Sequence, residues 1–126
     1  MLFRSNAFSQ ITLDSLQLEK FITEQNLNDS AASQLRNFYN SRNYHLVWFT
    51  EDGLAEQARA FWNLHNNYIK KTKDSSLVDE RLHKQMQLLT NDETGLDPSK
   101  KSIVETELQL TDHFFKFAHF AFTGKV

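Results

Sequence analysis

Apolar residues recur every three or four positions along most of the chain, the spacing that places them on one face of an α-helix. This period predicts a first helix over residues 14–26, with Asp14 as its N-cap, and a second helix that begins at Asp29. One side of the second helix carries Ala32, Leu35, Phe38, Tyr39 and Arg42. Residues 43–49, NYHLVWF, break the helical period, and we predict that they are extended.

The helical period returns after this segment. A third helix is predicted over residues 53–71, with Thr50 or Asp52 as its cap. Its apolar stripe consists of Leu54, Ala58, Phe61, Trp62, His65, Tyr68 and Ile69. A fourth helix is predicted over residues 77–90, capped by Ser75 or Ser76. Its stripe consists of Val78, Leu82, Met86 and Leu89.

The last predicted helix is the longest. Asp97-Pro98 is a strong start signal, because proline at the first helical position lacks only an N–H that has no partner there. The helix is predicted to run to Thr123 and to close at Gly124. The chain has three glycines and one proline, too few turn signals for a β-sandwich or barrel. We therefore predict an all-α fold, a compact bundle of about five helices with one extended aromatic-rich segment.

Length and charge narrow the class of protein. The 126 residues suffice for one domain, residues 1–126, and the net charge of -2 argues against a dedicated nucleic-acid-binding protein. No apolar run approaches the length of a membrane span, and the opening MLFRSNAFSQ lacks the apolar region of a signal peptide. Because FAHFAFTGKV ends directly after a predicted helix, we expect a piece of a longer protein.

The residues that carry common catalytic chemistry are not arranged for it. The chain has no cysteine, no Gly-x-Ser-x-Gly motif and no glycine-rich phosphate loop. The carboxylate pairs Glu51-Asp52 and Asp92-Glu93 are typical of solvated loop ends. We predict no catalytic residue in this chain and no cofactor.

The five histidines do not predict a metal site. His113 and His119 are six positions apart, roughly 120° around a helix, so they cannot bind one ion together. His65 has no acid or histidine one turn away, and His45 and His83 stand alone.

Glu107 is the one acid on an apolar helix face. That face is predicted to contain Ile103, Leu110, Phe114, Phe117 and Ala121, with Thr111 toward the same side. A buried carboxylate is costly unless it is paired and hydrogen-bonded. Arg42 is the obvious partner, because guanidinium binds carboxylate in a two-pronged geometry. We therefore predict an internal Glu107–Arg42 ion pair, with a catalytic Glu107 as the weaker alternative.

Aromatic residues are dense in the extended segment. The rings of Phe38, Tyr39, Tyr44, Trp48 and Phe49 could stack on sugars or bases, but core packing is the favoured role for most of them. Phe120 differs, because it lies on the polar side of the last helix. We predict that Phe120 contacts another domain or a partner protein.

Two blocks of this chain resemble a known family. LRNFYNSRNYHLVWFTEDGLAEQARAFWNL (35–64) and ETELQLTDHFFKFAHFAFTGKV (105–126) resemble the scaffold domain of YcbB-like L,D-transpeptidases, bacterial envelope enzymes that cross-link peptidoglycan. The family-motif positions are Phe38, Tyr39, Arg42, Tyr44, Trp48, Gly53, Leu54, Glu107, Leu108, Leu110, Thr111, Gly124 and Val126. Leu46 replaces a proline of the pattern, and Lys125 replaces an arginine.

The resemblance implies a role without chemistry of its own. The catalytic signature of the family, Ser-His-Gly-Cys-x-Arg, does not occur here. The chain is thus expected to be the non-catalytic N-terminal helical part of an exported enzyme of the periplasm or cell envelope. Its implied partners are a downstream catalytic domain of the same polypeptide and, as a second candidate, peptidoglycan.

Two other functions remain open from the residues alone. A free-standing helical module that docks partner proteins is compatible with Phe120. A glycan-binding module requires Tyr44 or Trp48 to be exposed in a groove.

Overall fold

A computed structural model describes residues 12–73, 75–91 and 100–123. Within these residues the chain forms five α-helices, one 3-10 turn and one two-stranded hairpin. The elements are α1 (Ser15–Glu24), α2 (Asp29–Ser41), β1 (Phe49–Thr50), β2 (Gly53–Leu54), α3 (Glu56–Thr72), the 3-10 turn (Ser75–Leu77), α4 (Glu80–Asn91) and α5 (Lys100–Thr123). The predicted all-α fold, a compact bundle of about five helices with one aromatic-rich segment, is confirmed.

Helix α5 is the central element of the bundle, because it contacts α1, α2, α3, α4 and the 3-10 turn. Residues 106–111 of α5 are all buried, which is typical of a helix surrounded by other elements. The predicted single apolar stripe is therefore only partly right. Phe114 is 37% exposed and Ala121 is exposed, so the buried surface lies around the middle of α5 rather than along one side.

The hydrophobic core combines residues from every helix and from the segment between α2 and α3. Its larger members are Leu18, Phe21, Leu35, Tyr39, Trp48, Phe49, Phe61, Trp62, Leu82, Met86, Leu108 and Leu110. Trp48 packs against Phe61 with ring centroids 5.4 Å apart. Three rings of the aromatic-rich segment lie in the core, as predicted for most of them: Tyr39, Trp48 and Phe49 are each at most 5% exposed.

The first two helices begin where the sequence predicts. Asp14 caps α1 with a capping box, in which its side chain accepts from the Gln17 N–H and the Gln17 side chain accepts from the Asp14 N–H. Helix α2 begins at Asp29, and Asn28 provides the capping side chain. Each cap satisfies N–H groups that have no partner inside the helix.

Helix α3 begins three residues later than predicted. Gly53 and Leu54 belong to the hairpin, where β1 and β2 pair antiparallel. The hydroxyl of Thr50 accepts from the N–H of Asp52 inside the hairpin turn, so neither residue caps the helix. Helix α3 starts at Glu56 after Ala55, which has no capping side-chain bond.

The start of α4 also differs from the prediction. Ser75 begins the 3-10 turn, and Asp79 caps α4 by accepting from the Leu82 N–H at 3.1 Å. Val78 is 49% exposed and lies outside the apolar stripe. The predicted start signal Asp97-Pro98 and the predicted stop at Gly124 lie outside the described residues. None of the helices in the described part of the chain is long and apolar enough to cross a bilayer.

Candidate functional site

The carboxylate of Glu107 lies at the centre of the bundle and accepts three hydrogen bonds. Its Oε2 accepts from Tyr39 Oη at 2.5 Å and from the Val47 N–H at 2.9 Å. Its Oε1 accepts from the Trp48 N–H, also at 2.9 Å. The side chain is fully buried, and ionised acceptors form the stronger class of hydrogen bond. One side chain of α5 therefore holds α2 and two consecutive backbone amides of the segment that follows α2.

Thr111, one turn after Glu107, extends this network. Trp48 Nε1 donates to Thr111 Oγ1 at 2.8 Å, and Thr111 Oγ1 lies 2.5 Å from Tyr39 Oη. Because Tyr39 gives its only hydroxyl proton to the carboxylate, Thr111 is the donor to the Tyr39 oxygen. The bonds then run in one direction, from Trp48 through Thr111 and Tyr39 to Glu107. In such a chain each donor polarises the next.

Local backbone conformation aims the two amides at the carboxylate. Asn43 and Tyr44 both have positive φ values, 57° and 63°, which end α2 in a tight turn closed by the Tyr44 N–H on the Tyr39 carbonyl at 2.8 Å. The Trp48 carbonyl accepts from the Ala55 N–H at 2.8 Å on the other side. The segment is thus fixed at both ends.

Burial sets the protonation of the network. It raises the pKa of the Glu107 carboxyl, although the Tyr39 hydroxyl and the two backbone amides oppose this shift. Burial and then the negative charge of Glu107 raise the pKa of Tyr39 well above its ordinary value, so the phenol keeps the proton that it donates. The burial of Glu107, Tyr39 and Thr111 closes the carboxylate to any substrate in solution. The arrangement is suited to fixing helices, not to proton transfer.

The predicted two-pronged contact between Arg42 and Glu107 is not formed, although the positive charge of Arg42 opposes the rise in the pKa of the Glu107 carboxyl. No ion pair joins these two residues in the described part of the chain, and Tyr39 with the two amides occupies the carboxylate instead. Arg42 Nε donates to the His45 carbonyl at 3.4 Å, and the guanidinium carbon lies 5.6 Å from the centroid of the Phe38 ring. Because α2 ends at Ser41, Arg42 belongs to the turn after the helix and not to its inner face.

The structure brings together four of the family-motif residues: Tyr39, Trp48, Glu107 and Thr111. Most of the others support this cluster from its edges. Phe38 packs edge-on against Tyr39, Leu108 and Leu110 are buried beside Glu107, and Gly53 with Leu54 forms β2. Tyr44 is half-buried in the turn after α2. Gly124, Lys125 and Val126 lie outside the described residues.

Two surface predictions have different outcomes. Trp48 is 5% exposed and its indole N–H is bound to Thr111, so it cannot stack on a glycan. Phe120 is half-buried and lines an open groove between α2 and α5, together with Asn37, Asp112 and Phe115. Contact of Phe120 with a partner stays a prediction.

A second buried polar cluster was not predicted from the sequence. It joins His65 of α3 to His113 of α5 and to Asp79, the cap of α4. Its only sequence signal is a pair of histidines on buried helix faces with an acid at a helix start. The three side chains form a line and do not converge on one point, and the described residues hold no group of three histidines or acids placed to bind a metal.

The fold and the network define a helical scaffold domain, in which a central carboxylate ties a loop to the bundle. A family model described as a scaffold domain matches residues 33–126, and the chain belongs to this family, the scaffold domain of YcbB-like L,D-transpeptidases. No curated protein and no solved structure matches the chain. The matched residues include every member of the Glu107 network, so the resemblance seen in the sequence is confirmed.

Proposed function

We propose that this chain is the non-catalytic scaffold module of an L,D-transpeptidase that cross-links and remodels peptidoglycan in the bacterial cell envelope. The observation that carries the proposal is the coincidence of the family match with the Glu107 network. Tyr39, Trp48, Glu107 and Thr111 are the family-motif residues that hold α2, α5 and the intervening segment together. They make the domain a stiff support.

The chemistry of the chain favours support over catalysis. It has no cysteine for an acyl-enzyme step, and its central carboxylate is closed to solvent. The reaction then belongs to a catalytic domain of the same polypeptide, downstream of this chain. The groove at Phe120 is our candidate surface for contact with that domain, because an aromatic ring beside Asp112 and Asn37 supplies apolar area with a polar rim.

The experiment uses the complete natural polypeptide, incubated with isolated peptidoglycan. Cross-linked fragments are measured by mass spectrometry after digestion of the glycan strands. We expect cross-links made by the complete protein and a several-fold loss in Phe120→Ala with an unchanged melting temperature. Leu16→Ala is the matched control, because Leu16 is 78% exposed on α1. A complete protein that forms no such cross-links would overturn the proposal, and a free-standing interaction module would become the better explanation.

A further inference from the structure

The second buried cluster is a line of three hydrogen-bond contacts. His65 Nδ1 lies 3.3 Å from Asn66 Oδ1, and His65 Nε2 lies 3.1 Å from His113 Nδ1. His113 Nε2 lies 3.2 Å from Asp79 Oδ2. The line crosses from α3 through α5 to the residue that caps α4.

The two imidazoles are enclosed, whereas the acid at the end of the line is not. His65 is 1% exposed and His113 is 3% exposed, and the Trp62 ring stacks on His65 with centroids 4.8 Å apart. The Asp79 side chain is 29% exposed, and its other oxygen accepts from the Leu82 N–H. Asp79 therefore both starts α4 and binds the histidine pair.

A count of protons shows that the line has two states. Each of the three contacts needs one hydrogen, and both end groups are acceptors when the Asn66 oxygen faces His65. Two neutral imidazoles supply only two hydrogens. The third comes either from the Asn66 amide nitrogen, after the carboxamide turns over, or from a proton taken up at His65 Nδ1. The amide oxygen and nitrogen have nearly the same shape, so the turn needs little space.

We propose that Asp79, His113 and His65 form a proton switch that loosens the attachment of α4 to the bundle in mild acid. With both imidazoles neutral, His65 donates to His113, and His113 donates to the Asp79 carboxylate. Uptake of one proton places a positive charge between Trp62 and the core. Opening of the 3-10 turn and α4 lets water reach that charge.

The surrounding groups set the direction of the response. Burial lowers the pKa of both His65 and His113; at His113 the hydrogen bond to Asp79 opposes this, and the positive charge of Lys116 adds to it. Asp112 on α5 favours the charged form of His113. The groove beside the line is also bordered by the charged or titratable side chains of Lys70 on α3 and of Glu80 and His83 on α4.

The sign of the pH effect follows from these shifts. In the unfolded chain a histidine has a pKa of about 6.5. A histidine whose pKa is lowered by folding therefore binds fewer protons in the folded state than in the unfolded state. The full stability is therefore present above about pH 6.5 and is lost as the pH falls toward the lowered pKa. Burial raises the pKa of the Asp79 carboxyl, but the hydrogen bonds from the Leu82 N–H and His113 hold that pKa below its ordinary value. Protonation of Asp79 therefore weakens the fold only at more acidic pH.

Hydrogen exchange of the backbone amides tests the switch in the unaltered chain. After correction for the intrinsic pH dependence, we expect the protection of α4 amides to fall between pH 7.5 and pH 5, by at most about tenfold per pH unit for one proton. Amides of α1, which does not contact the line, are the internal reference. Equal protection of α4 at both ends of this pH range would overturn the proposal.

Two variants test whether the line formed by His65, His113 and Asp79 causes the acid response of α4. His83→Gln removes an exposed imidazole near Trp62 and is expected to keep the acid response of α4. Asp79→Asn keeps a capping oxygen for Leu82 but removes the charge that favours protonated His113. The imidazole midpoint in the folded state is therefore expected to move to lower pH, and the acid loss of α4 protection to continue further. Loss of the response in His83→Gln, or an unchanged midpoint in Asp79→Asn, would contradict the assignment. Imidazole nitrogen shifts measured by NMR report the midpoint directly.

Discussion

Tyr39 and Glu107 lie 68 positions apart in the chain, and the hydroxyl of the first donates to the carboxylate of the second at 2.5 Å. Tyr39 has no exposed surface, and neither has Glu107. This bond joins α2 to the middle of α5. It also orients the carboxylate so that its second oxygen meets the Trp48 amide.

Removal of the Tyr39 hydroxyl should weaken the fold without changing its shape. Tyr39→Phe leaves the core ring in place but takes one of three donors from Glu107 and the acceptor from Thr111. We expect a loss of about 2 kcal/mol in the free energy of unfolding, measured by denaturant titration. Tyr68→Phe, at a half-buried tyrosine that packs edge-on against Phe117, should change it by less than about 0.5 kcal/mol. Equal losses in the two variants would mean that the Tyr39 hydroxyl does not stabilise the network.

Replacement of the carboxylate by an amide should cost more. In Glu107→Gln the new NH₂ group faces donors at one of the two oxygen positions, so at least one buried N–H or hydroxyl loses its acceptor. We expect a loss of about 3 kcal/mol, measured in the same titration. Glu51→Gln is the control, because Glu51 is exposed in the hairpin turn and should lose almost nothing. A Glu107→Gln chain as stable as the wild type would show that the three bonds do not offset the burial of the charge.

Alkaline pH should weaken the fold through Tyr39. Burial and the adjacent carboxylate raise its pKa in the folded state well above the ordinary value of about 10. The unfolded chain then loses this proton first, so the stability that Tyr39 contributes is complete below about pH 10 and declines as the pH rises above it. Thermal unfolding followed from pH 8 to pH 11 measures the decline. The melting temperature of Tyr39→Phe should fall less over the same pH range. An identical pH dependence of the melting temperature in the two proteins would refute this account.

Gly53 should not tolerate a side chain, for reasons of backbone conformation alone. Its φ is +116°, a value that residues with a Cβ rarely adopt, while a Cβ placed there meets nothing within 4 Å. We expect Gly53→Ala to lower the free energy of unfolding by about 2 kcal/mol. Asp52→Ala, next to it in the turn, should change it by less than about 0.5 kcal/mol. A neutral Gly53→Ala would mean that the hairpin relaxes around the new residue.

The sequence predicts the helices well and the polar contacts poorly. The period of apolar residues located the five helices that the described residues form, and the Asp14 cap was evident because its side chain bonds within its own turn. The burial of Glu107 was predictable for the same reason, since it is the acid among apolar neighbours on α5. Local patterns of this kind depend on residues at most four positions apart.

The errors have a common physical origin in contacts between distant parts of the chain. Arg42 was a chemically sensible partner for Glu107, but the turn after α2 directs it toward His45 and leaves Tyr39 at the carboxylate. The Val47 and Trp48 amides cannot be predicted as donors from side-chain identity. The line from His65 to Asp79 joins three elements, so no spacing in the sequence indicates it.

The contact of Glu107 with two backbone amides makes the length of the segment between α2 and β1 a condition for the network. A carboxylate that binds N–H groups makes no demand on the side chain at position 47, whose own contribution is its packing against the hydrophobic core. The number of residues between Tyr39 and Val47 is constrained, because one added or deleted residue would present a different pair of amides to Glu107. An insertion or deletion in this largely buried segment therefore breaks the network even when every side chain of the network is kept.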